Sequence, residues 1–250
     1  MGIQYIATIL ITLLSTSHIW TQTIEGQIVD AETQIGIPYA SIGVLNKGIG
    51  TVSDEKGYFL LSWTDAKKIT KEDSLAFLHI GYQTLMLRVA DVMAKANTTK
   101  PLFSLEKEEF ELPTISIEAD EFKNEVVLGR KVEKQNVKLY YQSNQKGTEL
   151  AAFVKVDKSS YLKKAYFAIS KNNYERLYFR VNLYTIKEGK PSDRINPTDI
   201  IVQTDISEGE IAVDLANYNI VVEEDFFISL EWLRAFGDGE ISEDLAFAEA

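Results

Sequence analysis

A hydrophobic period of two residues runs along most of the chain, and it limits the fold more than any other feature. It is cleanest where Leu177, Phe179, Val181 and Leu183 alternate with Tyr178, Arg180, Asn182 and Tyr184. A strand sends successive side chains to opposite faces, so the first four share one face and the second four share the other. Ile24 and Ile28, then Leu150, Ala152, Val154 and Val156, then Ala165, Phe167 and Ile169, repeat the pattern. Short strands with turn chemistry between them, at intervals of about a dozen residues, predict β-sandwiches. Strands and long helical patterns do not alternate, which argues against a parallel nucleotide-binding sheet.

The strands fall into two groups. In the first, strands are predicted at 24–29, 38–45, 51–53, 58–63, 75–80, 84–89, 102–105 and 114–117, with one helical turn at 91–96. Asp54-Glu55-Lys56-Gly57 fits a type I turn with glycine at positive φ and predicts a hairpin. Residues 118–135 are rich in charge and poor in large apolar side chains, so a linker is expected at 119–138. Further strands follow from Tyr140, with a long turn over 187–198. The expected organisation is therefore 22–118, a first sandwich, and 139–250, a second, jelly-roll-like one that ends incomplete or in a loose acidic tail over 237–249. Few contacts are expected across a charged linker, so the two modules are expected to fold separately.

Residues 1–21 read as a secretory signal peptide. No Asp, Glu, Lys or Arg occurs before Thr21. The apolar run from Ile3 to Leu14 is too short for a bilayer, which needs about 20 residues. Small polar residues follow it. Cleavage is expected after Ser17 or Thr21, with Thr21 preferred. His18 would then leave with the leader.

Composition excludes whole classes of chemistry. Asp plus Glu number 37 against 26 for Lys plus Arg, a net charge of −11 that would repel a polyanion, so no nucleic-acid partner is expected. There is no cysteine, hence no disulfide, thiol catalysis or Cys-based zinc site. His79 would be the only imidazole of the processed chain, and it sits in an apolar run that predicts a packed structural role. A catalytic zinc usually takes two or three histidines, so no metal or other cofactor is expected.

The first module resembles the carboxypeptidase regulatory-like domain, a transthyretin-like β-sandwich of seven strands. The residues that carry the likeness are Gly26-Gln27-Ile28-Val29-Asp30, Pro38-Tyr39-Ala40-Ser41-Ile42, the run from Gly50 through Asp54 and Gly57 to Phe59, and Gly81-Tyr82. Four separated turns agree with the family in order and spacing over about 23–117. Gln34-Ile35-Gly36-Ile37 departs from it by one extra turn residue. The resemblance implies an exported protein of a diderm bacterium, in a family also found ahead of TonB-linked outer-membrane receptors and without peptidase activity of its own.

Candidate sites are few. Asp30 and Asp54 stand at turns, where carboxylates accept backbone N–H bonds. Glu223-Glu224-Asp225 and residues 238–244 are oxygen-rich but lack the spaced loop of a calcium site. Gly48, Gly50 and Gly57 precede no helix and form no phosphate loop. The row Tyr178, Arg180, Asn182 and Tyr184 is expected to face outward, either as a plain solvent face or as a sugar-stacking surface. No catalytic residue is assigned. The reading is a non-enzymatic exported binding or scaffolding protein, in the periplasm or at the cell surface, with a protein or glycan partner at the envelope and no membrane span after processing. The alternatives are a carbohydrate-binding accessory protein and, from a different class, a hydrolase built on a carboxylate pair.

Overall fold

In a computed structural model of the chain, residues 22–63, 69–96, 100–108, 124–129, 138–141, 146–236 and 245–248 are described. The predicted leader, the strand at 114–117, most of the linker and residues 238–244 lie outside them.

The first unit comprises β1 (Gln22–Asp30), β2 (Ser41–Val44), β3 (Ile49–Val52), β4 (Tyr58–Trp63), β5 (Ser74–Leu78), β6 (Leu85–Arg88), α1 (Val89–Ala96) and β7 (Leu102–Leu105). Its seven strands form two sheets, ordered β4-β1-β7 and β3-β2-β5-β6. β1 runs antiparallel to β4 and parallel to β7. The strand predicted at 58–63 is present and its burial alternates: Phe59, Leu61 and Trp63 are buried, while Tyr58, Leu60 and Ser62 are exposed. They meet Ile42, Val44, Leu75 and Phe77 from the facing sheet. Phe77 stacks on Phe103 across the sandwich, with ring centroids 4.4 Å apart. Each large apolar side chain removed from water here contributes about 1.5–3 kcal/mol.

The turn at Asp54–Gly57 differs from expectation. It is not a hairpin, because β3 and β4 belong to different sheets. Asp54 Oδ1 accepts from the backbone N–H groups of Lys56 and Tyr58, and Gly57 takes φ +81°. A Cβ on Gly57 would lie 2.3 Å from the Ile28 carbonyl oxygen, so only glycine lets the crossing chain pass so close to β1.

The second unit comprises β8 (Lys138–Tyr141), β9 (Glu149–Val154), β10 (Ser160–Tyr161), β11 (Lys164–Lys171), β12 (Arg176–Lys187), β13 (Lys190–Arg194), β14 (Ile200–Thr204), β15 (Gly209–Asp214), β16 (Val221–Val222), β17 (Phe226–Phe236) and β18 (Leu245–Ala248). One sheet has the order β15-β11-β18-β8. The other has the order β13-β12-β17-β9, with β14 also on β12. β13 lies inside the stretch predicted as a long turn. Its sequence KPSDR has no apolar alternation, and pairing with the free edge of β12 makes it a strand, with Pro191 on the edge strand where proline is tolerated.

Leu177, Phe179, Val181 and Leu183 are each 0% exposed, and they pack with Leu230 and Trp232 of β17. The period of two therefore assigns this strand's core face correctly. The opposite face does not point into solvent as expected. Arg180 is 2% and Asn182 0% exposed, and Tyr178 and Tyr184 are half-buried. The first unit packs on this face, so charges from both units bury one another.

Candidate functional site

The buried polar face is built by register. On β12 and β17, Arg180 lies opposite Glu231, Asn182 opposite Ser229, and Tyr184 opposite Phe227. β9 adds Glu149, paired with Glu231. Strand periodicity places all of these on the side away from Trp232 and Phe179. Between Tyr178 and Phe179 the register slips, a bulge that inserts Leu233 and places Arg234 opposite Tyr178. Arg234 Nη1 reaches Glu55 of the first unit at 3.1 Å.

Arg180 is the centre. Its Nη1 donates to Glu231 Oε2 at 2.9 Å and to Ser41 Oγ at 3.2 Å, and its Nη2 donates to the Tyr39 carbonyl. Its Nε lies 3.1 Å from Asp199 Oδ1. The Ser41 hydroxyl donates to Glu231 Oε1 at 2.9 Å. Burying an unpaired guanidinium costs several kcal/mol, so the network is a condition of closing this joint. Tyr39 adopts φ +54°, the left-handed region that a bulky residue avoids, so the strand predicted over 38–45 begins only at Ser41, as β2. The same kink presents its carbonyl to Arg180, a local strain kept where two units meet.

Two branches leave Arg180. Toward β9, Asn182 Nδ2 donates to Glu149 Oε1 and, at 3.3 Å, to Glu231 Oε2. Ser229 and Tyr184 donate their hydroxyls to Glu149. Burial, followed by the Glu149 charge, pushes the Tyr184 hydroxyl well up, so it stays a donor. Arg194 caps the branch with its guanidinium 5.7 Å over the Tyr184 ring. Toward β14, Asp199 Oδ2 meets His79 Nε2 at 3.1 Å. Burial would raise the Asp199 carboxyl. The His79 hydrogen bond and the charges of Arg180, His79 and Arg194 outweigh it and hold the group below its ordinary value.

Of the predicted row, then, Arg180 and Asn182 lie inside the joint. Tyr184 ends one branch, and Tyr178 lies across from Arg234. His79 sits just past β5 in a turn rather than inside a strand, and it belongs to this network. Sequence reading missed Glu149, Asp199, Ser229 and Glu231. A signal existed: Ser229 and Glu231 interrupt an otherwise apolar strand at one parity, as Arg180 and Asn182 do.

Asp30 and Asp54 act in turns. Asp30 Oδ1 accepts from the N–H groups of Glu32 and Thr33, and Oδ2 from the Tyr82 hydroxyl. Those bonds, the Thr33 N–H foremost, hold the Asp30 carboxyl well below its usual range. Asp225 caps the Val156 N–H at 2.8 Å, and Glu223 and Glu224 are exposed. Among the described residues no group of three or more His, Asp or Glu side chains is arranged to hold a metal ion.

A groove of about 480 Å³ lies beside the joint, lined by residues that include Tyr39, Asp54, Tyr58, Lys100, Lys146 and Arg234. Its cations are partly engaged, Lys100 over the Tyr58 ring and Arg234 with Glu55. None of Glu149, Asp199 and Glu231 lines it.

A family model described as "CarboxypepD_reg-like domain" matches residues 24–117. Residues 24–117 are a carboxypeptidase regulatory-like domain. Such domains are regulatory, non-catalytic modules, and the type is common in extracellular proteins. No curated protein matches the chain. A solved structure described as "Structure of infectious bursal disease virus Gx strain" aligns at 9% identity over 92% of this chain and 69% of that one, with a TM-score of 0.31, too low to carry any argument. Among the described residues no helix is long and apolar enough to cross a membrane.

Proposed function

We propose that this is an exported, non-enzymatic binding or scaffolding protein of a bacterial envelope, in which the regulatory-like domain and a second sandwich act as one rigid unit. The observation that carries it is where the reactive groups are used. Arg180 bonds Glu231 and lies 3.1 Å from Asp199, Glu149 and Glu231 are joined through the Asn182 amide, and Asp199 meets His79 across the joint. A hydrolytic carboxylate pair needs a cleft that admits substrate and water. Glu231 is instead buried, and it shares the Asn182 amide with the partly buried Glu149. The expected result is a processed amino terminus and recovery of the protein from envelope fractions of its own host. An intact Met1 on cytoplasmic protein would overturn the export part. Hydrolysis of a glycoside, ester or peptide panel that Glu149→Gln or Glu231→Gln abolishes, with folding retained, would overturn the non-enzymatic part.

One observation favours glycan binding as the second reading. Tyr184, Phe227 and Phe153 lie directly abreast on β12, β17 and β9. Phe153 is 53% exposed, and its ring stands 5.8 Å from that of Phe227. Aromatic faces of this kind stack on the apolar side of sugar rings. On that reading Phe153→Ala abolishes a signal on a glycan array with little change in Tm, and binding that survives the loss of both Phe153 and Tyr184 removes this surface as the site.

A further inference from the structure

We propose that His79 and Asp199 form a pH-responsive latch across the joint between the two units, held when the imidazole carries both ring protons and loosened when it loses one. The inference rests on hydrogen-bond chemistry and on a charge count. His79 Nδ1 lies 2.8 Å from the Ile80 carbonyl oxygen, and Nε2 lies 3.1 Å from Asp199 Oδ2. A carbonyl and a carboxylate only accept, so both ring nitrogens must donate to satisfy the site. A neutral imidazole has one N–H and leaves a lone pair facing an oxygen.

The charged groups of the network that His79 joins through Asp199 give the same answer. Asp199, Glu231 and Glu149 carry three negative charges, and Arg180 and Arg194 carry two positive ones. A protonated His79 makes the cluster neutral. A neutral ring leaves one excess negative charge in a joint where Glu231 is 4% and Arg180 2% exposed. Among the described residues the ring also meets Tyr82, edge-on at 5.4 Å, whose hydroxyl is committed to Asp30, with Lys107 3.6 Å from that carboxylate. The carbonyl of Tyr39 and the hydroxyl of Ser41 complete the shell around Arg180 and carry no charge. An imidazole's ordinary charge change falls between about pH 5 and 8, which sets the two pH values of the test.

The latch spans the two units, since His79 follows β5 and Asp199 precedes β14. Loss of the proton weakens this joint and leaves the two apolar cores alone. The test is amide hydrogen exchange on the full chain at pH 5.5 and 8.0, corrected for intrinsic rates. Protection at Ile200 and Ile201 is expected to fall about ten-fold on going to pH 8.0, the difference between a charge-assisted and a neutral hydrogen bond. Protection at Leu61 in β4 should not change. His79→Gln should remove the pH dependence at Ile200 and Ile201. Equal protection at both pH values, or a His79→Gln protein that keeps the wild-type dependence, overturns the latch. If His79→Gln does not fold, the ring itself decides: in a His18→Gln background, nitrogen NMR at pH 5.5 should show both ring nitrogens protonated, and a singly protonated ring overturns the proposal.

Discussion

Strands β4 and β12 alternate with the same period, and their core faces are equally closed to water. Phe59, Leu61 and Trp63 are at most 6% exposed, and Leu177 through Leu183 on the odd positions are 0%. Their other faces part company. On β4, Leu60 is 57% exposed and Tyr58 43%, although both are apolar enough to be buried. On β12, Arg180 and Asn182 are polar and fully covered. Alternation tells which side chains share a face. What covers the second face depends on chain that arrives from far away, here Tyr39, Ser41 and His79 against β12 and its neighbour Asp199.

Four measurements can break or sharpen that contrast. The largest effect is expected for Arg180→Ala. It strands Glu231 and Asp199 in the joint without their shared cation, at a cost of about 3–5 kcal/mol in urea unfolding of the full chain. Arg180→Met with Glu231→Leu should recover part of that loss, because the Glu231 charge leaves with that of Arg180 while Asp199 keeps only His79. A loss below about 1 kcal/mol for the single change would mean that the second face of β12 is solvated like that of β4. Phe179→Ala should cost roughly 3–5 kcal/mol as a core deletion on the other side of the same strand.

Acid should act next. Asp30 and Asp199 are both held below the ordinary carboxyl value when folded. Their contribution is present above the unfolded value, near pH 4, and is lost as pH falls toward the folded values. Tm measured from pH 7 down to pH 3 should drop most steeply below about pH 4, and Asp30→Asn should make that slope shallower. The smallest effect belongs to Leu60→Ser, within about 0.5 kcal/mol, because the side chain already stands in water. A larger loss would show that the outer face of β4 is covered after all.

Much of this architecture is legible in the amino-acid pattern. The strand at 177–184 follows from alternation, and the strand at 58–63 and the glycine at 57 from turn chemistry. The sheet change at Asp54–Gly57 is not legible, since the same four residues suit a hairpin and only the position of β1 beneath Gly57 separates the two. β13 is illegible because its strand state comes from β12. The joint was half legible. Matching polar parities on β12 and β17 announce a buried polar pair, but Asp199 and His79 are 120 residues apart and share no local signal.

β1 has a consequence for the order of events in time. It is the middle strand of its sheet, and its two partners come about 30 and about 75 residues later in the chain, as Gln27 opposite Tyr58 and opposite Leu102. Non-local pairings of this kind make folding slow, and a parallel closure made by the last strand cannot start until that strand is available. During synthesis, β1 therefore waits with one edge unpaired until Leu102 to Leu105 emerge. On the export proposed above, such a delay keeps the sheet from closing before the far end of the domain has been made.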